Sequence, residues 1–109
     1  MTAILVNGHT ITETYCESIC QDYGVPSYMA NSLFLYLQHG LPPGSFLTAI
    51  LSNNFMEAVS HADANNARCL KEWAQLIYCA LPSGSHGSRE AVRDWIHSRQ
   101  EATCATADE

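Results

Sequence analysis

Cysteine and histidine are the residue types in this 109-residue chain best suited to nucleophilic or metal chemistry. The pairs that could act as nucleophile and base are Cys69 or Cys79 with His39, His61 or His86, and His61 with Asp63. None of them stands in a GxSxG, HExxH, phosphate-loop or paired-carboxylate pattern. We therefore expect no catalytic residue and no enzymatic activity, with an enzyme of Cys/His chemistry as an alternative.

Cys16 and Cys20 are the one cysteine pair with a helical spacing that could bind a metal. Four residues apart on a helix, both thiols would face the same side, but zinc needs about four ligands and no second close Cys/His pair follows. We expect no metal and no cofactor, although the sequence leaves metal binding at this pair open. The odd total of five cysteines and the absence of a secretion signal favour reduced thiols and a cytoplasmic location.

Charge is the most informative bulk property. Five Lys and Arg against eleven Asp and Glu give a net charge of −6, and no Lys or Arg occurs before residue 68. This charge pattern favours binding to a partner protein with a basic surface. The alternative is that the charge only maintains solubility. The candidate partner-binding residues are Glu13, Glu17, Asp22, Glu57 and Asp63, with any exposed part of Tyr28, Tyr36 and Phe34.

The N-terminal segment predicts a short β-hairpin followed by a helix. Two β-prone runs flank Asn7-Gly8, the dipeptide that best tolerates the positive φ angles of a tight hairpin turn. A capping box can form at Thr10 or at Thr14, so the first helix should begin there and end before Gly24.

The most apolar segment is Leu33-Phe34-Leu35-Tyr36-Leu37, in a second helix predicted from a Ser27 cap through residue 38. The segment is apolar on every face. It is therefore either the central helix of the domain or a surface that another chain covers. We expect the central helix, and with it a monomer.

Apolar steps of three and four residues predict the remaining helices. A third helix begins at a Ser45 cap and faces inward with Phe46, Leu47, Ile50 and Leu51. A fourth covers residues 55–61 and packs through Phe55, Met56 and Val59, with Glu57 and Ser60 outside. A fifth follows caps at residues 63–66 and buries Leu70, Trp73, Ala74, Ile77, Tyr78 and Leu81. A last helix runs from a Ser88 cap to about residue 99 with Val92, Trp95 and Ile96 inward.

The predicted fold is mainly α, with five or six helices and a short N-terminal β-hairpin. Residues 1–100 form a single domain, and residues 101–109 are small, polar and expected to be a disordered tail. No run of about 18 apolar residues could span a bilayer, so we expect no membrane association.

The last helix carries the cations that could contact nucleic acid: Arg89, Arg93, His97 and Arg99. The neighbouring Glu90, Asp94 and Glu101 can form helical ion pairs with them instead. A small nucleic-acid-binding regulator is thus an alternative. We expect no nucleic-acid partner, because one cationic helix would have to overcome the field of a net-negative domain.

A family resemblance rests on residues 38–59, whose core is PPGSFLTAILSNN at residues 42–54, then on His61-Ala62-Asp63 and Asn66, and on the later run LPSGSHGSREAVRDW, residues 81–95. Together with the hairpin start at Asn7-Gly8, these runs resemble a group of small phage and prophage proteins, mostly without an assigned function. The similarity covers most of the chain to about Trp95. It implies a phage accessory role and no reaction, and anti-CRISPR inhibitors are the functional class it suggests.

The sequence therefore predicts a small, non-enzymatic, phage-type protein of the host cytoplasm. We expect it to bind and inhibit a host protein complex, a CRISPR-Cas subunit being the suggested partner, through its acidic surface.

Overall fold

The computed structural model describes residues 5–6 and 9–107, and the side chains of residues 11–101. The chain is mainly helical, as predicted. Within the described residues it forms seven α-helices and one short 3-10 helix, more than the five or six expected. They are α1 (Glu13–Tyr23), the 3-10 helix (Ser27–Met29), α2 (Ala30–His39), α3 (Ser45–Leu51), α4 (Phe55–His61), α5 (Ala64–Ala67), α6 (Leu70–Ala80) and α7 (Arg89–Ala107).

Two two-residue strands precede the helices. β1 (Leu5–Val6) pairs antiparallel with β2 (His9–Thr10), with Leu5 opposite Thr10 and Val6 opposite His9. The Asn7-Gly8 turn predicted between them lies outside the described residues.

Three predicted helix caps are wrong. The α1 cap is Thr12, whose backbone is extended and whose hydroxyl accepts the Tyr15 N–H at 3.0 Å, because Thr10 lies in β2 and Thr14 inside the helix. Ser27 instead opens the 3-10 helix, and α2 starts at Ala30 without a side-chain cap. Ser45 is already the first residue of α3, so Gly44 takes the cap position.

Helix α2 is the central helix. Leu33, Tyr36 and Leu37 are 0% exposed, and α1 and α7 both pack against the helix. The Tyr36 hydroxyl donates to the Ser85 carbonyl at 2.6 Å, which ties α2 to the loop before α7. Burial raises the pKa of Tyr36, so the phenol stays a neutral donor.

The end of α2 lies directly on α7. Gly40 has φ +70°, and a Cβ there would be 2.6 Å from the Ile96 carbonyl oxygen. From α7, Arg99 donates to the Gln38 carbonyl at 3.1 Å and Gln100 to the Gly40 carbonyl at 3.0 Å. These side chains satisfy carbonyls that the end of a helix leaves without intrahelical partners.

The predicted fifth helix is two helices. Asp63 caps α5 by accepting the Asn66 N–H, and α6 begins only at Leu70. The two separate because the Asn66 side chain points inward, where its amide oxygen Oδ1 accepts the indole N–H of fully buried Trp73 at 2.7 Å. Phe46 of α3 meets Trp73 edge to face, with ring centroids 5.7 Å apart.

The inward face of α6 differs from the prediction at three positions. Leu76 is fully buried, whereas Tyr78 is 86% exposed and Ala74 also faces solvent. Trp73, Ile77 and Leu81 are buried as predicted.

Helix α4 has the predicted bounds, but its predicted inward face is wrong. Phe55, Met56 and Val59 are exposed, and the small side chain of Ala58 is the one that is fully buried. Ala58 lets α4 pack closely against α3, which turns the large apolar side chains away from the core.

Helix α7 extends to Ala107 and does not end near residue 99. Val92 is buried, while Trp95 and Ile96 are half-buried against the core. The Trp95 indole N–H is buried and has no hydrogen-bond partner in the described part of the chain.

The contact between Gly40 and α7 predicts an unequal cost for two glycine substitutions. Gly24 also has a positive φ, +80°, but a Cβ there would have only one ordinary contact, at 3.8 Å. Gly24→Ala should therefore cost about 1 kcal/mol of unfolding free energy, the penalty of the left-handed backbone alone. Gly40→Ala should cost about 2 kcal/mol more, because the methyl group also overlaps the α7 backbone. Urea denaturation of both variants measures this difference, and equal costs would contradict the close contact.

Candidate functional site

Helix α4 lies between two depressions of the molecular surface. At 100° per residue, with Ala58 inward, Phe55 and Val59 lie on one flank and Glu57 and His61 on the other. Met56 points outward between the flanks. The helix therefore has one apolar and one polar flank.

The apolar groove is the depression on the Phe55 flank, between the end of α3, α4 and α6, with a volume of about 850 Å³. Phe55 of α4 and Tyr78 of α6 both line it and are 64% and 86% exposed. Beside it, Met56 is 76% and Val59 43% exposed. Large apolar side chains that stay in water are typical of a surface that binds another protein.

The polar cavity is the depression on the Glu57 flank, between α3, α4 and α7, with a volume of about 670 Å³. Arg89 and Arg93, one turn apart on α7, line it together with His61 and Glu57 of α4. The His61 Nε2 and a Glu57 carboxylate oxygen are 3.1 Å apart. Val92, Ile96 and Ala49 supply apolar walls.

Glu13, Glu17 and Asp22 are all exposed on α1. Glu13 accepts a hydrogen bond from the Asn31 amide of α2 at 3.1 Å. Within the described side chains, none of these three carboxylates has a Lys, Arg or His partner. Their negative charge is therefore not neutralised locally.

Tyr28 and Asp63 meet, although they are 35 residues apart in sequence. The Tyr28 hydroxyl donates to the Asp63 carboxylate at 2.5 Å. This hydrogen bond is the main cause that lowers the pKa of Asp63 and raises that of Tyr28. The 3-10 helix that carries Tyr28 packs against α1, the helix with the three carboxylates that have no cationic partner among the described side chains.

We call Glu13, Glu17 and Asp22 of α1, together with the Tyr28–Asp63 pair, the acidic side. Two of the predicted partner-binding residues do not belong to it. Tyr36 is fully buried in the core and has no exposed part, because α2 is surrounded by other elements. Glu57 is exposed, but it pairs with His61 and lines a cavity with two arginines. Phe34 is half-buried, and its ring meets that of His39 edge to face.

The Cys16–Cys20 pair lies in the core. Burial is the largest cause that raises the pKa of Cys16 to about 12 and that of Cys20 to about 11, with neighbouring carboxylates adding to it. Both sulfurs are therefore protonated at neutral pH, the form that binds metals poorly. Among the described residues, no three His, Cys, Asp or Glu side chains are grouped as a metal site would need.

The candidate nucleophile and base pairs are not hydrogen-bonded to each other. His61 pairs with Glu57 and not with Asp63. The Cys69 thiol donates to the Asn65 carbonyl, and burial, the largest of three causes, raises its pKa. Cys79 is exposed and lines the apolar groove with His86, but the described contacts include no hydrogen bond between them.

The cationic face predicted for the last helix is only partly present on the surface. Arg99 turns inward to the Gln38 carbonyl, and His97 pairs with Glu101 at 3.4 Å. Arg93 also contacts Asp94, at 3.6 Å. Arg89 and Arg93 thus remain, and both line the polar cavity.

Sequence reasoning missed both depressions beside α4. It placed Phe55, Met56, Val59 and Tyr78 in the core, where large apolar side chains usually belong. The available signal was Ala58, the one small residue at the centre of a seven-residue helix.

Comparisons with protein-family models, with curated proteins and with solved structures found no match. No helix in the described part of the chain combines the length and apolarity needed to span a bilayer.

Proposed function

We propose that this chain is a non-enzymatic interaction protein that acts in the host cytoplasm, where it binds another protein through the apolar groove and inhibits it. The observation that carries the proposal is the exposure of Phe55 and Tyr78 in one groove. Met56 and Val59 of α4 are also exposed, although they do not line the groove. Aromatic and methionine side chains are enriched in protein interfaces, where they fill pockets of the partner.

The occupant of the groove is a different protein and not a second copy of this chain. Each copy carries a net charge of −6, so two copies repel each other. A partner with a basic surface is attracted by the same charge. The chain itself is a monomer in this proposal.

The acidic side speeds the approach of a partner with a basic surface. Glu13, Glu17 and Asp22 have no cationic partner within the described side chains, so their field is available to an approaching basic surface. Exposed charges mainly affect the rate of association, whereas the buried apolar contact sets the lifetime of the complex.

The partner proposed is a subunit of a host defence complex, such as a CRISPR-Cas complex. The support for this identity is the resemblance of residues 42–54 and 81–95 to small phage proteins. Residues 42–54 include α3 and lead directly into α4, so the resembling segment holds the helix that α4 packs on. Binding at a nucleic-acid-handling surface would inhibit such a complex without any reaction.

The groove predicts which substitutions abolish partner capture. The double variant Phe55→Ser/Tyr78→Ser, which changes the two large exposed aromatic residues that line the groove, should lose the protein that the tagged wild-type chain captures from host lysate. Leu41→Ser is the matched control, because Leu41 is 46% exposed but does not line the groove, and it should capture the same protein. Both side chains of the double variant are exposed, so each change should alter the unfolding free energy by only about 0.5 kcal/mol.

Two outcomes would contradict the groove as the binding surface. One is a double variant that captures the same protein as the wild type. The other is light scattering that shows a stable dimer of the wild-type chain that becomes a monomer in the double variant, because the groove would then be occupied by a second copy.

The acidic side predicts a dependence of association rate on salt and charge. Glu13→Lys/Glu17→Lys should slow association with the captured partner by roughly tenfold or more at low salt, and added salt should remove most of the difference. Surface-plasmon association rates measure this effect. Thr14→Lys/Ser18→Lys, which adds the same cations on the same helix while keeping both carboxylates, should slow association less. If neither salt nor either double variant changes the association rate, the negative charge only maintains solubility.

A further inference from the structure

We infer that the polar cavity between α3, α4 and α7 binds a small organic anion, a phosphate or carboxylate group on an apolar body. The cavity lies on the opposite flank of α4 from the groove, so this inference is independent of partner binding. Five side chains of two chemical kinds carry it: the cations Arg89 and Arg93, and the apolar Val92, Ile96 and Ala49.

The two guanidinium groups give the cavity its preference for anions. Arg89 and Arg93 are four residues apart on α7 and therefore lie on one side of the helix. Arg89 has no hydrogen bond or ion pair among the described contacts, and Arg93 uses only its Nε toward Asp94. Guanidinium groups bind carboxylates and phosphates through parallel hydrogen bonds, and several N–H groups remain available for them here.

The other charged groups of the cavity leave this positive charge in excess. Glu57 is the one carboxylate among the lining residues, and it lies 3.1 Å from His61 in a pair within α4. Asp94 is exposed beside Arg93 and does not line the cavity. The sequence has five Lys and Arg in all, and two of them converge on this one cavity of a protein with net charge −6.

The apolar walls of the cavity determine what kind of group can accompany the anionic group of the ligand. Val92 and Ile96 from α7 and Ala49 from α3 form an apolar surface next to the arginines, and Ser45 and Thr48 line the same space. A volume of about 670 Å³ is within the range of small-molecule sites. Inorganic phosphate alone would leave most of this volume unfilled, so an anion with an apolar body fits it better.

Titration of the ¹⁵N-labelled full chain with phenyl phosphate, benzoate and benzyl alcohol tests the inference. Phenyl phosphate or benzoate should shift the backbone amide signals of Thr48, Ala49 and Val92 in a saturable way, and the tighter of the two identifies the anionic group. Neutral benzyl alcohol should not. Arg89→Gln and Arg93→Gln should each weaken binding of that probe by roughly tenfold. Arg68→Gln, which removes an exposed cation that does not line the cavity, should leave it unchanged.

The same spectra show whether each variant is folded, and a salt titration of the wild-type chain provides a test without substitutions. Added sodium chloride should weaken binding of the charged probe. The inference is overturned if neither anion gives saturable shifts at these amides, if benzyl alcohol binds equally well, or if Arg68→Gln weakens binding as much as Arg89→Gln.

Discussion

The burial of α2 is the constraint on which the rest of the structure depends. A helix that is apolar on every face needs neighbours around most of its surface. Leu33, Tyr36 and Leu37 have no exposed surface, and Phe34 and Leu35 are half-buried. α1 packs on one side, the end of α2 lies against α7 at Gly40, and Tyr36 is hydrogen-bonded to the loop before α7. These contacts occupy the inward faces of α1 and α7.

The short helix α4 lies outside this arrangement and packs on α3 through Ala58. Its remaining side chains are therefore available to form surfaces. The apolar flank faces α6 and forms the groove, and the polar flank faces the arginines of α7. One seven-residue helix thus separates a surface suited to a protein from a cavity suited to an anion.

The spacing of apolar residues correctly predicted the helices that have several turns of inward-facing side chains. The α-class, the end of α1 at Gly24, the central α2 and the buried Trp73 follow from apolar spacing and glycine positions. The candidate surfaces did not follow, because seven residues give two turns and leave the inward side of α4 undetermined. The rule that large apolar residues are buried then chose Phe55 and Met56 over Ala58. Contacts between distant residues, such as Tyr28 with Asp63 and Arg99 with Gln38, have no sequence signal at all.

The proposed function depends on the exposure of the outward face of α4, which carries Phe55, Met56 and Val59, and methionine oxidation tests this exposure most directly. Met56 is 76% exposed on α4, whereas Met29 is half-buried against the core and provides an internal reference. With dilute hydrogen peroxide and peptide mass spectrometry, Met56 should oxidise about as fast as a methionine in the unfolded chain, and Met29 several-fold more slowly. Equally slow oxidation of Met56 and Met29 would contradict this exposure, because the outward face of α4 would then be covered.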